Sequence, residues 1–538
     1  MTTPPPSSQP AAAPQKRLRD VFPLWAWIVL VWWALFTYAN SLTPLPPGVA
    51  SRMAKAAEGR VDSDALQDLI QIDLGAKTAY AISLAHVGEP ANPDPKTLQD
   101  ALSKSEDLER ETHNSISAAR RVIVMRALLG KPPFAVSKAG APLDAFDKDL
   151  SPLLSPEDRA SAVHEGNVWT AALGSNTKPR VREALAVQVR ALPNIRWWGA
   201  AGTAAVYKMA HNPVEAARWN AVARSRALRP LVGVGLIGIV RAGLTFLGLA
   251  LLIALMVQYF ERRNNPDAGS FWKIEPPAIS TEARRIGAGE LAGIFLIYLL
   301  TREVITVSVG GFAGIGHTHL LQFPGAASHF QSQLARLSDQ QRTSVQILVE
   351  AVVYVVSALP PLVILMAMAR ARGASLANEI GWNARAKGAN ILYGFGGYAI
   401  ASPLLLLVNW LGSIVFKHLA SPANPVIPQI VTASGWFVPV TLLLLASVAA
   451  PFVEEILFRG VLMNAIFIRF GAWPAIIGSG LIFGFAHPVG VGEKLTISVL
   501  GMVFAWMAQT RQSLLPSMTA HFVNNFTTTL LLLAIMGG

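Results

Sequence analysis

A membrane's hydrocarbon core, roughly 30 Å thick, takes about 20 apolar residues of helix to cross, and apolar runs near that length recur along this chain. They fall at residues 21–38, 233–258, 288–309, 345–368, 389–413, 436–468, 472–487, 493–509 and 514–535. Within lipid every backbone N–H and C=O must find its partner inside the protein, which leaves helices or closed barrels as spanning structures. Runs this long read as helices. The sequence therefore predicts an all-α, polytopic membrane helix bundle of about nine membrane segments. Composition agrees: 52% of residues are hydrophobic and 14% charged, against about 45–50% and about 25% in ordinary globular chains.

The stretch between the first and second runs differs. Residues 44–228 carry charge throughout and hold no uninterrupted apolar run of spanning length. They read as a mainly helical extramembrane insert. Apolar residues sit at helical spacing in Asp64–Leu74 and Thr97–Leu129, bounded by proline-rich breaks at Pro90–Pro95 and Pro132-Pro133. Four regions follow: a tail over 1–20 too poor in core-forming residues to fold, a retained anchor over 21–43, the insert over 44–228, and a membrane domain over 229–538.

The net charge of +12 would suggest nucleic acid in a soluble protein, but here basic residues flank apolar runs. Lys16, Arg17 and Arg19 precede the first, Arg262, Arg263, Arg284 and Arg285 follow the second, and Arg370, Arg372, Arg385 and Lys387 follow the fourth. Cytoplasmic loops collect Lys and Arg, so the expectation is a cytoplasmic N-terminus in a bacterial inner membrane, with the insert on the opposite side. No phosphate-binding glycine loop, zinc-finger spacing or RNA-binding signature is present, which argues against a nucleic-acid partner. With no cysteine, disulfides, thiolate metal sites and cysteine nucleophiles are excluded.

Chemistry-bearing residues crowd into the last 90 or so positions. The segment Pro451-Phe-Val-Glu-Glu-Ile-Leu-Phe-Arg-Gly460 sets two carboxylates and a guanidinium in an apolar run, where each costs about 2.5 kcal/mol or more. On a helix Glu455 and Arg459 share a face and can pair, while Glu454 projects about 100° away. One carboxylate can then be structural and the other free for chemistry. The next segments add His487, at the end of Phe483-Gly-Phe-Ala-His487, then His521 and Asn525, again four apart on one face. Brought together around water, they would let Glu454 take a proton from it while the histidines bind a metal or an oxyanion and Asn525 donates a hydrogen bond. The bland alternative is that such polar groups only tie helices together.

These residues resemble the CPBP family, the CAAX-processing and bacteriocin-processing intramembrane proteases that include the type II prenyl endopeptidases. The family pattern of Glu-Glu-x-x-x-Arg, then Phe-x-x-x-His, then His-x-x-x-Asn falls in order on Glu454-Glu455 with Arg459, Phe483 with His487, and His521 with Asn525. The resemblance implies proteolysis of a membrane-associated substrate, some of the family's being prenylated. It makes Glu454 the water activator, His487 its partner, His521 and Asn525 oxyanion stabilisers, and Glu455 and Arg459 supports. Family members are often called metalloproteases. Zinc on Glu454, His487 and His521 is one option and a metal-free glutamate mechanism the other, because no His-Glu-x-x-His is present and His164-Glu165 lacks the second histidine. Membrane lipids and a membrane-associated peptide or protein substrate are the expected partners. A silent scaffold with a partner-binding insert and a transporter are the competing readings. A transporter would show paired interrupted segments in two halves of the chain.

One depth problem stands out. His487 ends its run whereas His521 lies near the start of the last one, so their meeting requires bent helices near Pro451, Pro474 or Pro516, or a connection at 488–492 that dips back. The remaining polar features read as structural: His317 and His319 in a glycine-rich loop, Arg302, Glu303 and Glu350 at segment ends or between helices, and Arg241 snorkelling to an interface.

Overall fold

The computed structural model describes residues 28–29, 33, 63–82, 92–112, 116–133, 156–174, 176–192, 196–265, 286–313, 339–382, 386–416, 436–487 and 489–536. Among these residues the regular structure is entirely helical.

Six helices build the insert: α1 (Ser63–Ile82), α2 (Pro95–Thr112), α3 (Ile116–Leu128), α4 (Pro156–Leu173), α5 (Pro179–Ala191) and α6 (Arg196–Met209). Three of them open on proline, whose missing N–H costs nothing in a first turn. Asp94 caps α2, its Oδ2 accepting from the Thr97 N–H at 2.8 Å and the Thr97 hydroxyl at 2.6 Å. The expected run from Thr97 to Leu129 is thus two helices. Ile72, Tyr80, Trp169 and Trp197 fill one core, with Tyr80 edge-on to Trp197 at 5.5 Å.

The insert joins the membrane domain without a break. Helix α7 (Pro213–Asn264) has 52 residues, a length of roughly 78 Å at about 1.5 Å per residue. Asn212 caps it, accepting from the Glu215 N–H at 3.1 Å, and Arg262 and Arg263 lie in its last turn. Ala216, Ala223 and Ala227 are buried on the insert side, whereas Leu236, Ile239, Phe246 and Ile253 face outward, as a lipid-facing surface requires. The expected boundary at residue 228 therefore falls inside one continuous helix. Lys77 of α1 also donates to the Ile535 carbonyl at 3.2 Å, tying the insert to the far end of the last helix.

The membrane domain continues with α8 (Ala288–Ala313), α9 (Asp339–Ala371), α10 (Leu376–Ile380), α11 (Lys387–Val415), α12 (Phe437–Phe470), α13 (Ala472–Phe485), α14 (Val491–Arg511) and α15 (Leu515–Met536). Among the described residues six helices are long and apolar enough to cross a membrane: α7, α9, α11, α12, α14 and α15. The expected count of nine is not reached there. The first run lies almost wholly outside the described residues, α8 carries Arg302 and Glu303 in mid-length, and α13 has 14 residues, about 21 Å.

Short α13 packs closely on α14 because glycines line the crossing. A Cβ on Gly484 would stand 2.0 Å from Ser498 Oγ and 2.4 Å from the Lys494 carbonyl oxygen, so no larger residue fits without separating the helices. Helix α12 is one continuous helix with two widened, π-wound stretches, Leu445–Ala449 and Glu455–Leu462. Pro451 lies between them and has no N–H to offer the turn before it. The expected bend or break in 436–468 is this local rewinding, a feature often found at functional sites.

Candidate active site

The second π-wound stretch begins at Glu455, and there the paired charges are locked in. Arg459 Nη1 donates to Glu455 Oε1 at 3.0 Å, and both side chains are 0% exposed. Arg459 Nη2 donates to the Gly501 carbonyl at 3.0 Å, and its guanidinium lies 4.3 Å over Phe483 and 5.3 Å from the Phe504 ring. One arginine thereby joins α12, α13 and α14. Glu455 Oε1 also accepts from His521 Nδ1 at 3.0 Å, which orients the imidazole of α15. A carboxylate oxygen only accepts, so His521 carries its proton on Nδ1 and turns Nε2 away from Glu455.

Nε2 points to the other glutamate, lying 3.8 Å from Glu454 Oε2. Glu454 is 15% exposed, unlike its neighbour. Its two oxygens are not equivalent. Oε1 accepts from the Tyr354 phenol at 3.3 Å, whereas Oε2 is buried with no hydrogen-bond partner. A buried polar atom without a partner carries a desolvation penalty of about 1–3 kcal/mol.

His487 stands just past the end of α13, with Nδ1 donating to the Phe483 carbonyl at 2.8 Å and Nε2 left for the site. The depth problem is settled by Phe483, whose ring is 4.9 Å from the His487 ring and 5.7 Å from that of His521. Glu454 acts electrostatically on His487, as His521 does. Asn525 faces α12 as its spacing predicts, but its amide is already engaged: Nδ2 donates to the Ala446 carbonyl at 2.8 Å, in the first π-wound stretch. That contact fastens α15 to α12 two turns before Glu454.

The structure therefore gathers Glu454, Glu455, Arg459, His487, His521 and Asn525 into one region. It adds residues that the motifs do not contain. Tyr354 of α9 reaches Glu454, and Arg302 of α8 donates to the Ala486 carbonyl at 3.3 Å, one residue before His487. The available signal was an arginine inside an apolar run with a tyrosine four residues before it. The other polar features lie apart. Glu165 pairs with Arg120 at 2.6 Å inside the insert, and His317 and His319 lie outside the described residues.

Zinc requires three protein ligands aimed at one point. Among the described residues no three His, Asp or Glu side chains are grouped to hold a metal ion. The Nδ1 atoms of both histidines are spent on Phe483 and Glu455. The expected zinc set of Glu454, His487 and His521 does not form such a group among the described residues, so a metalloprotease gains no support from the structure.

Residues 436–527 match the family model of type II CAAX prenyl endopeptidase Rce1-like proteins. The match runs from α12 into α15 and takes in all three motifs, in agreement with the resemblance they carry. No curated protein and no solved structure gives a match.

Proposed function

We propose, from the premise of an Rce1-like domain over 436–527, that the membrane domain cuts peptide bonds of a membrane-associated or lipidated substrate with water activated by Glu454. The observation that carries this reading is Glu454 Oε2, unpartnered and 3.8 Å from His521 Nε2. Water placed there gives a proton to Oε2 as its oxygen bonds to the substrate carbonyl carbon. The carbonyl oxygen gains the negative charge beside the His521 ring, which Glu455 orients through Nδ1. His487, held on its Nδ1 side, offers Nε2 to Glu454 or the attacking water. As the C–N bond breaks, Glu454 returns the proton to the leaving nitrogen, giving a free carboxylate and a free amine. Donors fixed in a dry site need no reorganisation as charge develops, which is where much of the rate gain arises.

Arg262 and Arg263 at the end of α7 make that end cytoplasmic, with the insert across the membrane from it. A single cysteine at position 100 in this cysteine-free chain should label only from the non-cytoplasmic side, and cytoplasmic labelling would reverse the topology.

The activity is tested with purified protein in lipid and a panel of membrane-anchored peptides, prenylated and not. Wild type should cleave at least one, in the presence of chelator as in its absence. His521→Ala should lose on the order of 10²–10³-fold in rate and Glu454→Gln nearly all of it. Cleavage by well-folded Glu454→Gln protein at the wild-type rate would remove Glu454 as the base.

A further inference from the structure

The helices outside the matched segment supply a second wall to the site. Tyr354 has one phenolic hydrogen, and the acceptors in reach are Glu454 Oε1 at 3.3 Å and the Ala450 carbonyl at 3.4 Å, both on α12. Arg302 donates Nη2 to the Ala486 carbonyl at 3.3 Å, one residue before His487. The Phe483 carbonyl holds the ring of His487 from within its own helix, and Arg302 holds the same turn from α8.

Two physical points give these contacts meaning. A carboxylate turns about a broad, roughly two-fold torsion, so an ungripped Glu454 could offer water either oxygen, in varied directions. A guanidinium in an apolar run is costly unless it is paired or serves a site, and Arg302 binds the carbonyl beside His487.

We propose that Tyr354 and Arg302 are positioning residues: Tyr354 holds Oε1 so that Oε2 alone meets the water, and Arg302 fixes the turn that presents His487. The proposal rests on the hydrolytic reading above and deepens it. It also places part of the working site on α8 and α9, outside residues 436–527.

The experiment compares wild type with Tyr354→Phe, Arg302→Gln, Arg302→Lys and the control Lys104→Gln, an exposed residue of the insert, in lipid. Each is measured for thermal unfolding, for kcat and KM on the cleaved peptide, and for the infrared band of the Glu454 carboxyl group, assigned as the band that Glu454→Gln removes. Displacing a reacting group by about 1 Å can cost on the order of 10²-fold in rate. Tyr354→Phe should lower kcat on that scale, leave KM unchanged and shift the Glu454 band. Arg302→Gln should lower kcat similarly, and Arg302→Lys should recover part of the loss. Lys104→Gln should alter nothing. An unmoved band with an unchanged kcat in folded Tyr354→Phe protein would overturn the role of Tyr354, and full activity in Arg302→Gln would overturn that of Arg302. Should wild type cleave no peptide, the infrared shift still decides whether Tyr354 holds Glu454, and the hydrolytic reading fails separately.

Discussion

The insert and the membrane domain both bury charge, and they treat it differently. In the insert, Asp73 receives Arg121 through Nε at 2.6 Å and Nη2 at 3.0 Å, and Trp198 Nε1–H at 3.0 Å. Glu165 likewise takes Arg120 at 2.6 and 2.7 Å and the indole of Trp169 at 3.1 Å. Each carboxylate there has donors on both oxygens. In the membrane domain, a more expensive medium, both adjacent glutamates keep Oε2 without a donor, but Glu455 takes the charged Arg459 and His521 on Oε1 whereas Glu454 takes only the Tyr354 phenol. What separates the two glutamates is the partner and the exposure: Glu455 is fully buried against a guanidinium, and Glu454 has a phenol on one oxygen and a side chain 15% exposed.

Breaking the fully buried pair of Glu455 and Arg459 should cost the most. Arg459→Met strands the buried Glu455 and frees α14 from α12, and loss of one partner from a buried pair typically costs about 3–5 kcal/mol. The yield of folded protein in detergent should drop steeply, and an unchanged unfolding temperature would show that Glu455 is satisfied by other means.

The insert's pair should fail with acid. Burial by itself would push the Asp73 carboxyl up, but Arg121, with help from Lys77 and Trp198, holds it below its ordinary value of 3.8. A carboxyl depressed on folding contributes stability that is fully present above that value and is lost as the pH falls through its lower folded value. Circular dichroism of the insert should therefore be steady down to pH 3.8 and show helix loss below it, and Asp73→Asn should flatten this dependence. Equal acid sensitivity in that variant would assign the loss to another group.

Smaller effects test the frame around the two charge systems. Gly484→Ala must separate α13 from α14, a strain of about 1–3 kcal/mol, and should reduce activity by displacing His487 as well as lowering the unfolding temperature. Asn212→Ala removes the cap of α7 and should cost about 1 kcal/mol without touching turnover. A turnover defect there would mean that α7 transmits strain from the insert to the site.

Much of this was legible from residue order. Lipid-length apolar runs announced the helical bundle, and the four-residue spacing of Glu455 with Arg459 announced their pairing, because helical neighbours depend on spacing alone. The role split proposed for Glu454 and Glu455 rests on the same rule. What stayed hidden depends on tertiary approach. Nothing local tells Tyr354 that it meets Glu454 a hundred positions later, and the two π-wound stretches of α12 follow from packing around Pro451 rather than from composition. The continuity of α7 across residue 228 was masked because a single helix there changes solvent, and the change in composition resembles a domain boundary. Asn525 shows the limit of a motif: its face was foreseen, but its bond to the Ala446 carbonyl needs the freed backbone of the rewound turn.

The central claim, that adjacent glutamates divide structure from chemistry, is tested most directly by measuring unfolding temperature and turnover together for Glu454→Gln and Glu455→Gln in the same lipid. Glu454→Gln should keep the wild-type unfolding temperature and lose nearly all hydrolysis. Glu455→Gln should unfold at a clearly lower temperature, since Arg459 is then left buried without its charge partner. The reverse pattern, with Glu454→Gln unstable and Glu455→Gln stable but inactive, would contradict the account.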